Sequence, residues 1–215
     1  MKKDLVEMVF ILDRSGSMSG LESDTIGGFN SLIEKQKNTP GEALISTVLF
    51  DDRFDVIHNR IPINDIQPMT KETYFVRGTT ALLDAMGRSM TKMIQVYRTL
   101  KEEEKPEKTL FIITTDGMEN ASKEFTHQHI KTLIDHQKEG YQWEFIFLGA
   151  NIDAMKTAKS FGIHEDRVAN YHSDEEGTKL NYRVLSQTIS DLRVKKTIRP
   201  NWKEAIDEDY DKRKS

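Results

Sequence analysis

Hydrophobic residues are arranged along this chain in two alternating patterns. Short, nearly continuous apolar runs of strand length occupy residues 5–12, 43–50, 109–115 and 143–148. Elsewhere, apolar residues recur every three or four positions, as in amphipathic helices, over residues 21–37, 81–97, 122–138, 152–161 and 175–195. Strands that alternate with helices are typical of an α/β fold. We therefore predict a doubly wound, mostly parallel sheet with helices on both faces.

One pair of strands breaks the alternation. The runs at 43–50 and 54–60 are separated only by the acidic turn at 51–53, a spacing that predicts a β-hairpin. The hairpin would add one antiparallel edge strand to the sheet. A short stretch at 167–171 is predicted to be the last strand.

The chain shows no internal repeat and no second apolar core, which favours one domain. We place that domain at residues 1–196. Residues 197–215 are dense in charge around a single tryptophan, Trp202, and are predicted to form a charged C-terminal tail, docked or frayed. The charged run at 101–108 is predicted to be a solvated linker between a helix and a strand.

The composition of the 215 residues limits the classes of function. The formal net charge is −4, so no overall basic field favours nucleic acid or an anionic membrane as the partner. The absence of cysteine excludes disulfides and cysteine nucleophiles. No stretch reaches the roughly 18 uninterrupted apolar residues that a membrane-spanning helix requires. We expect a soluble, cytoplasmic protein.

Oxygen-bearing side chains follow the first predicted strand at alternate positions. Asp13, Ser15 and Ser17 lie in a loop whose central glycine allows the backbone to curl and bring their oxygens to one point. A segment with two hydroxyl residues, Thr79 and Thr80, opens a predicted helix, and Asp116 follows a strand predicted to neighbour the first. Hard oxygen ligands suit Mg²⁺, with Mn²⁺ or Ca²⁺ as alternatives, and do not suit zinc or copper. Ligands of open α/β sheets bind at the carboxyl ends of the strands, so we predict a divalent-cation site there.

These segments resemble the metal-ion-dependent adhesion site (MIDAS) of the von Willebrand factor type A (VWA) domain family. The family pattern is Asp-x-Ser-x-Ser after the first strand, Gly-x-Thr-x-Leu before a helix and Asp-Gly after the fourth strand. All three segments occur here in that order. The resemblance implies a Rossmann-like VWA fold. It also implies that Ser15 and Ser17 bind the cation directly through their hydroxyls, while Asp13 and Asp116 act mainly through water. Thr80, which matches the pattern rather than Thr79, would bind directly in a ligand-ready state and through water otherwise.

The resemblance further implies what the site binds. An open position on the cation would accept an Asp or Glu side chain from a partner protein. The chain would then be a binding module of an intracellular multiprotein complex and not an enzyme. We expect a rim that surrounds the cation and contacts the partner, formed by Arg14, Met18, Met118, Glu119, Asn120 and Asn151.

Two alternative functions remain open. A bound Mg²⁺ could activate a water molecule, so a magnesium-dependent hydrolase is one alternative, although no general base is evident beside the site. The chain could instead be a component of a ribonucleoprotein complex, as some relatives of the family are, but its acidic charge argues against direct RNA contact. Each segment also has a purely structural explanation, since Asp, Ser and Thr are preferred helix-capping residues.

Overall fold

The computed structural model describes residues 1–213 of the 215-residue chain. Within that range, the strands of a single sheet are Lys2–Asp13 (β1), Glu42–Phe50 (β2), Phe54–Pro62 (β3), Pro106–Asp116 (β4), Glu144–Ala150 (β5) and Val168–Asn170 (β6). Their order across the sheet is β3-β2-β1-β4-β5-β6. All neighbours are parallel except β2 and β3. The predicted doubly wound sheet with one antiparallel edge strand is confirmed.

Helices cover both faces of the sheet. Their bounds are Glu22–Lys37 (α1), Leu82–Thr99 (α2), His127–Tyr141 (α3), Ala154–Ser160 (α4), Glu175–Lys195 (α5) and Glu204–Lys212 (α6). α1, α5 and α6 pack on one face, and α2, α3 and α4 pack on the other. No helix in residues 1–213 is both long enough and apolar enough to cross a membrane.

The central strand, β1, divides the core into two layers. Met8 and Phe10 belong to the layer under α1 and α5, whereas Val9 and Ile11 belong to the layer under α2 and α3. Successive side chains of a strand point to opposite faces, so a strand covered on both faces is apolar at nearly every position. This packing explains the continuous apolar run and anchors the carboxyl end of β1.

Two predicted boundaries differ from the structure. The sequence pattern predicts a helix from residue 122, whereas α3 begins at His127. The loop before it is held by the Asp84 carboxylate of α2, which accepts three backbone N–H groups at 2.9 Å each, from Lys123, Glu124 and Phe125. The charged run at 101–108 is not a free linker, because β4 begins within it, at Pro106.

Most of the predicted C-terminal tail packs against the rest of the chain. Trp202 is buried, and its indole N–H donates to the Asp166 carbonyl at 2.7 Å. The Lys203 ammonium donates to the Val168 carbonyl at 2.7 Å. These bonds hold the segment that leads into α6 against β6 and the turn before it. Residues 214–215 of the tail lie outside the described residues.

Candidate metal centre

Three loops meet at the carboxyl edge of the sheet, the edge at which the parallel strands end. β1 and β4 are parallel neighbours, so Asp13 and Asp116, at their ends, emerge together. The chain passes from β1 to β2 on one side, whereas β4 lies on the other side of β1. Strand order diverges in this way at the ligand sites of open α/β sheets. The segment before α2 brings Thr80 to the same place.

Three hydroxyl groups, those of Ser15, Ser17 and Thr80, form a cluster at this edge. The Ser15 Oγ lies 3.1 Å from the Ser17 Oγ, and the Thr80 Oγ1 donates to the Ser15 Oγ at 3.1 Å. Adjacent oxygens around an octahedral Mg²⁺ lie about 2.9 Å apart, given metal–oxygen distances of roughly 2.0–2.1 Å. The spacing of this hydroxyl cluster therefore fits a shared hard cation. Ser15 and Thr80 are buried and Ser17 is exposed, so the cluster opens to solvent at Ser17.

The hydroxyl cluster does not contain the most common protein metal ligands. Among residues 1–213, no group of three or more histidine, cysteine, aspartate or glutamate side chains is arranged to hold a metal ion. A cation here would therefore depend on hydroxyl oxygens, supported by the carboxylates of Asp13 and Asp116. These hard oxygens suit Mg²⁺, Mn²⁺ or Ca²⁺.

The Asp13 carboxylate lies behind the hydroxyls and accepts three hydrogen bonds. The Ser15 N–H donates to its Oδ1 at 2.7 Å. Its Oδ2 accepts from the Thr115 hydroxyl at 2.8 Å and from the Asp116 N–H at 3.1 Å. Burial raises the pKa of this carboxyl, and the hydrogen bonds oppose that shift. Asp13 thus fixes the ends of β1 and β4 relative to each other and supplies a carboxylate beside the cluster.

Asp116 reaches the hydroxyl cluster through its main chain. Its backbone carbonyl accepts a hydrogen bond from the Ser17 hydroxyl. Its carboxylate is held by two other side chains, since Oδ1 accepts from the Asn151 amide at 2.5 Å and Oδ2 accepts from the Ser173 hydroxyl. Ser173 is not among the residues predicted from the sequence. Its place just after a strand that ends at the same edge is the signal that could have found it.

The segment before α2 is fixed by contacts from two loops. The Thr80 N–H donates to the Asn120 Oδ1, and the Asn120 N–H donates to the Thr80 carbonyl, both at 3.0 Å. The Gly16 N–H donates to the Gly78 carbonyl at 3.2 Å. Gly78 has a φ of +67°, a backbone conformation that favours glycine, and a Cβ there would lie 2.0 Å from an oxygen of Asp52, which would have to move. These contacts set the Thr80 hydroxyl beside the serines.

Three of the predicted rim residues have other roles in the structure. Arg14 is 1% exposed, and Met18 is also buried, so neither presents its side chain to a partner. Glu119 accepts the Leu83 N–H at 2.9 Å and thereby caps the first turn of α2, which occupies its carboxylate. The other predicted rim residues are exposed at the carboxyl edge: Met118, Asn120 and Asn151.

Arg14 belongs to an ion-pair network that the sequence did not reveal, formed by the buried Arg14 and Asp51 with the more exposed Asp55 and Arg77. The Arg14 Nε donates to the Asp51 Oδ2 at 2.9 Å, and the Arg77 Nε donates to the same oxygen at 2.7 Å. Both guanidinium groups also pair with Asp55. Asp51 is fully buried, so its charge depends on these partners. The network links the loop after β1 to the segment before Thr80.

Comparison with known proteins identifies the fold. No family profile and no curated protein sequence matches this chain. Solved structures do match most of it. A von Willebrand factor type A structure from Catenulispora acidiphila matches 85% of this chain with a TM-score of 0.57 and 17% identity. The chain has the fold of a VWA domain.

Two further solved structures share this VWA fold. Proximal thread matrix protein 1 from the mussel byssus, with a zinc-occupied MIDAS motif, matches 86% of this chain with a TM-score of 0.58 and 16% identity. The manganese-loaded TRAP protein of Plasmodium vivax matches 84% with a TM-score of 0.56 and 16% identity. This chain spans 46% of the mussel protein, 73% of TRAP and 42% of the bacterial protein. At such low identity, the likeness establishes the fold alone.

Proposed function

We propose that this protein is a metal-dependent binding module, which uses a divalent cation to hold an acidic side chain of a partner protein. The observation that supports this most is the hydroxyl cluster of Ser15, Ser17 and Thr80, whose 3.1 Å spacings suit a hard cation. The cluster is open to solvent at Ser17, where a ligand from another molecule can approach.

Each residue has a distinct part in this proposal. The three hydroxyls would bind the cation directly. Asp13 and Asp116 would act through water, because their carboxylates are already engaged in hydrogen bonds. Neutral hydroxyl ligands leave much of the charge of the cation uncompensated. The cation therefore favours one more anionic oxygen ligand, which an Asp or Glu of a partner supplies.

Magnesium is the cation that we propose, with manganese or calcium as alternatives. Two structures of the same fold support a divalent cation, since the mussel protein has a zinc-occupied MIDAS motif and TRAP is manganese-loaded. We further propose a cytoplasmic setting within a multiprotein complex, without direct contact to nucleic acid or membrane. The net charge of −4 favours a protein partner over a nucleic acid.

A magnesium-dependent capture experiment tests this proposal. The immobilised protein would be incubated with lysate in Mg²⁺ and, in parallel, in a chelator, and proteins lost with the chelator would be purified and retested for direct binding. Ser15→Ala removes one hydroxyl of the cluster, and Ser19→Ala is the matched control, because Ser19 is an exposed serine of the same loop. We expect the partner to bind directly, and only in Mg²⁺, to the parent and to Ser19→Ala. Ser15→Ala should not bind it. Binding should also be lost when one Asp or Glu of the partner is replaced.

Two results would contradict the proposal. Direct binding that persists in the chelator or in Ser15→Ala would show that the hydroxyl cluster is not the point of contact. Magnesium-dependent turnover of phosphate or ester substrates, lost in the same variant, would favour a hydrolase instead.

A further inference from the structure

Large apolar side chains are exposed at few places in residues 1–213: Met1, Val56, Phe75, Met118, Tyr141 and Val194. Of these, Phe75 and Met118 lie in loops at the carboxyl edge of the sheet, which also carries the hydroxyl cluster. Tyr141 and Val194 lie at the ends of α3 and α5, toward the opposite edge, and Val56 lies within β3. The exposed apolar residues at the carboxyl edge thus belong to the two loops that also supply Thr80 and Asp116.

Phe75 is held in its exposed position by its neighbours. The preceding residue, Tyr74, is buried and donates its hydroxyl to the Asp13 carbonyl at 2.7 Å. The guanidinium carbons of Arg14 and Arg77 lie 5.5 and 5.1 Å from the centre of the Phe75 ring. These cation–π contacts support the ring while 41% of the residue stays exposed.

The two arginines are themselves fixed, so the support under Phe75 is rigid. Both belong to the ion-pair network, in which they share Asp51 at 2.9 and 2.7 Å. The Arg77 N–H also donates to the Arg14 carbonyl at 2.9 Å. A side chain that is held in one position before binding loses little conformational entropy when a partner packs on it. Phe75 therefore has the properties of an interface anchor.

Met118 lies on the other side of the hydroxyl cluster. Phe75 is supported by the ion-pair network on the β2 side of β1, whereas Met118 follows β4, on the opposite side of β1. Met118 is 74% exposed, and it follows Gly117, where a Cβ would lie 3.4 Å from the Ser17 Oγ. The flexible thioether side chain of methionine adapts to apolar surfaces of different shapes.

From this arrangement we infer that the partner presents its acidic residue between two large apolar side chains, one packed on Phe75 and one packed on Met118. The inference rests on the proposed function and specifies the partner as a protein segment of the type apolar–acidic–apolar. The apolar contacts exclude water from the bond between carboxylate and cation, where water competes. They also distinguish this segment from the many isolated acidic side chains on protein surfaces.

Selection from a random-peptide display library tests this inference without knowledge of the natural partner. Three forms of the protein would be used, each in Mg²⁺ and in a chelator: the parent chain, the Phe75→Ser/Met118→Ser variant and the Tyr141→Ser/Val194→Ser control. The control removes two exposed apolar residues that lie away from the carboxyl edge. Enriched peptides would be sequenced, and their affinities for each purified form would be measured.

The parent and the control should enrich, only in Mg²⁺, peptides in which an Asp or Glu has a large apolar residue on each side. The Phe75→Ser/Met118→Ser variant should still enrich acidic peptides, but without apolar neighbours. It should bind the peptides selected by the parent about tenfold more weakly, as expected when an interface anchor is truncated.

The contrary results separate this inference from the proposed function. Acidic peptides enriched by the parent without apolar neighbours, or an apolar preference retained by the Phe75→Ser/Met118→Ser variant, would overturn the flanking contacts and leave the cation-mediated contact in place. If the parent enriches no acidic peptide in a magnesium-dependent way, the proposed function fails and the inference fails with it.

Discussion

Two buried carboxylates in the same strand, Glu7 and Asp13 of β1, have very different surroundings. Glu7 is 0% exposed and Asp13 is 1% exposed, and burial raises the pKa of each. Asp13 accepts three hydrogen bonds, from two N–H groups and one hydroxyl. Glu7 accepts one at its Oε2, from the Arg60 Nε at 2.9 Å, and its Oε1 is buried without a hydrogen bond to any described residue.

The difference follows from the position of each residue along the strand. Glu7 lies in the middle of β1, opposite Leu44 of β2 and Thr109 of β4, where backbone N–H groups are used for strand pairing. Asp13 is the last residue of β1, where N–H groups of the loops have no strand partner and can donate to the carboxylate. The end of a parallel strand thus supplies donors that its middle lacks, which is why a polar site can form there.

The largest loss of stability is expected at Glu7, whose buried carboxylate depends on a single ion-pair partner. Arg60→Ala leaves the Glu7 carboxylate buried without a counter-charge. We expect the free energy of unfolding, measured in urea, to fall by about 3 kcal/mol, the usual result of breaking a buried ion pair. The Glu7→Leu/Arg60→Met variant should recover the stability of the parent, because apolar side chains need no counter-charge. A loss below about 0.5 kcal/mol, typical of a neutral surface exchange, would show that Glu7 does not depend on Arg60.

Matched exchanges at the two carboxylates separate a site residue from a structural one. Asp13→Asn replaces one accepting carboxylate oxygen with an amide N–H donor that faces the surrounding donors, which disturbs the loop that carries the serines. We expect its Mn²⁺ affinity to fall by about 100-fold, the upper range for residues that support metal ligands. Glu7→Gln is the control and should bind Mn²⁺ as the parent does. Calorimetric titration measures the Mn²⁺ affinity of both variants, and circular dichroism checks that they fold. An equal loss of affinity in both variants would show that the loss comes from reduced overall stability and not from the site.

A smaller effect is expected from the ion-pair network, which supports the site indirectly. Asp51→Asn weakens the pairs with Arg14 and Arg77 that join the two hydroxyl-bearing segments. We expect about tenfold weaker Mn²⁺ affinity in the same titration. Glu124→Gln removes an exposed charge that is paired with Arg88 outside the network, and it should change nothing. Unchanged affinity in Asp51→Asn would mean that the two segments hold their positions without the network.

The smallest expected effect is a pH dependence of the free energy of unfolding, caused by Glu7. Burial holds the pKa of Glu7 above its ordinary value of 4.5, and the attraction of Arg60 opposes the shift. Between pH 4.5 and the raised pKa, Glu7 is protonated more often in the folded chain than in the unfolded chain. The contribution of Glu7 to the free energy of unfolding therefore declines as pH rises through this window. The neighbouring Tyr97 stays neutral, since burial raises its pKa.

Glu7→Gln removes this titration while it keeps the shape of the side chain. The stability of the variant relative to the parent should therefore increase as pH rises from 4.5, as measured by urea unfolding at several pH values. A relative stability that decreases over the same range would show that the pKa of Glu7 is lowered.

The fold and the hydroxyl cluster could be predicted because both depend on local patterns. Continuous apolar runs indicate strands covered on both faces, and the residues that follow parallel strands meet at one edge. These two facts bring the residues after β1 and β4, among them Ser15 and Ser17, to one edge of the sheet, whereas Thr80 was predicted to join them from the resemblance of residues 78–82 to the Gly-x-Thr-x-Leu pattern. The antiparallel edge strand follows from the short acidic turn at 51–53, which leaves no room for a crossover helix.

The contacts that support the site could not be predicted, because they join residues far apart along the chain. Asp51 pairs with Arg14, 37 positions away, and with Arg77, 26 positions away. No local pattern distinguishes these charges from solvated ones. Arg14 therefore resembles a rim residue in the sequence, and only the fold shows that its guanidinium turns toward Asp51. The start of α3 depends in the same way on a distant residue, Asp84.

A titration with Mn²⁺ followed by electron paramagnetic resonance tests the hydroxyl cluster most directly, since the signal of free aqueous Mn²⁺ falls as the ion binds. The parent would be compared with Thr80→Val and with the control Thr79→Val, because Thr79 is the exposed neighbour of Thr80. We expect one bound Mn²⁺ per chain in the parent and the control, and binding weaker by about tenfold or more in Thr80→Val. The absence of saturable binding in the parent, or equal binding in Thr80→Val, would contradict a cation site at this edge of the sheet.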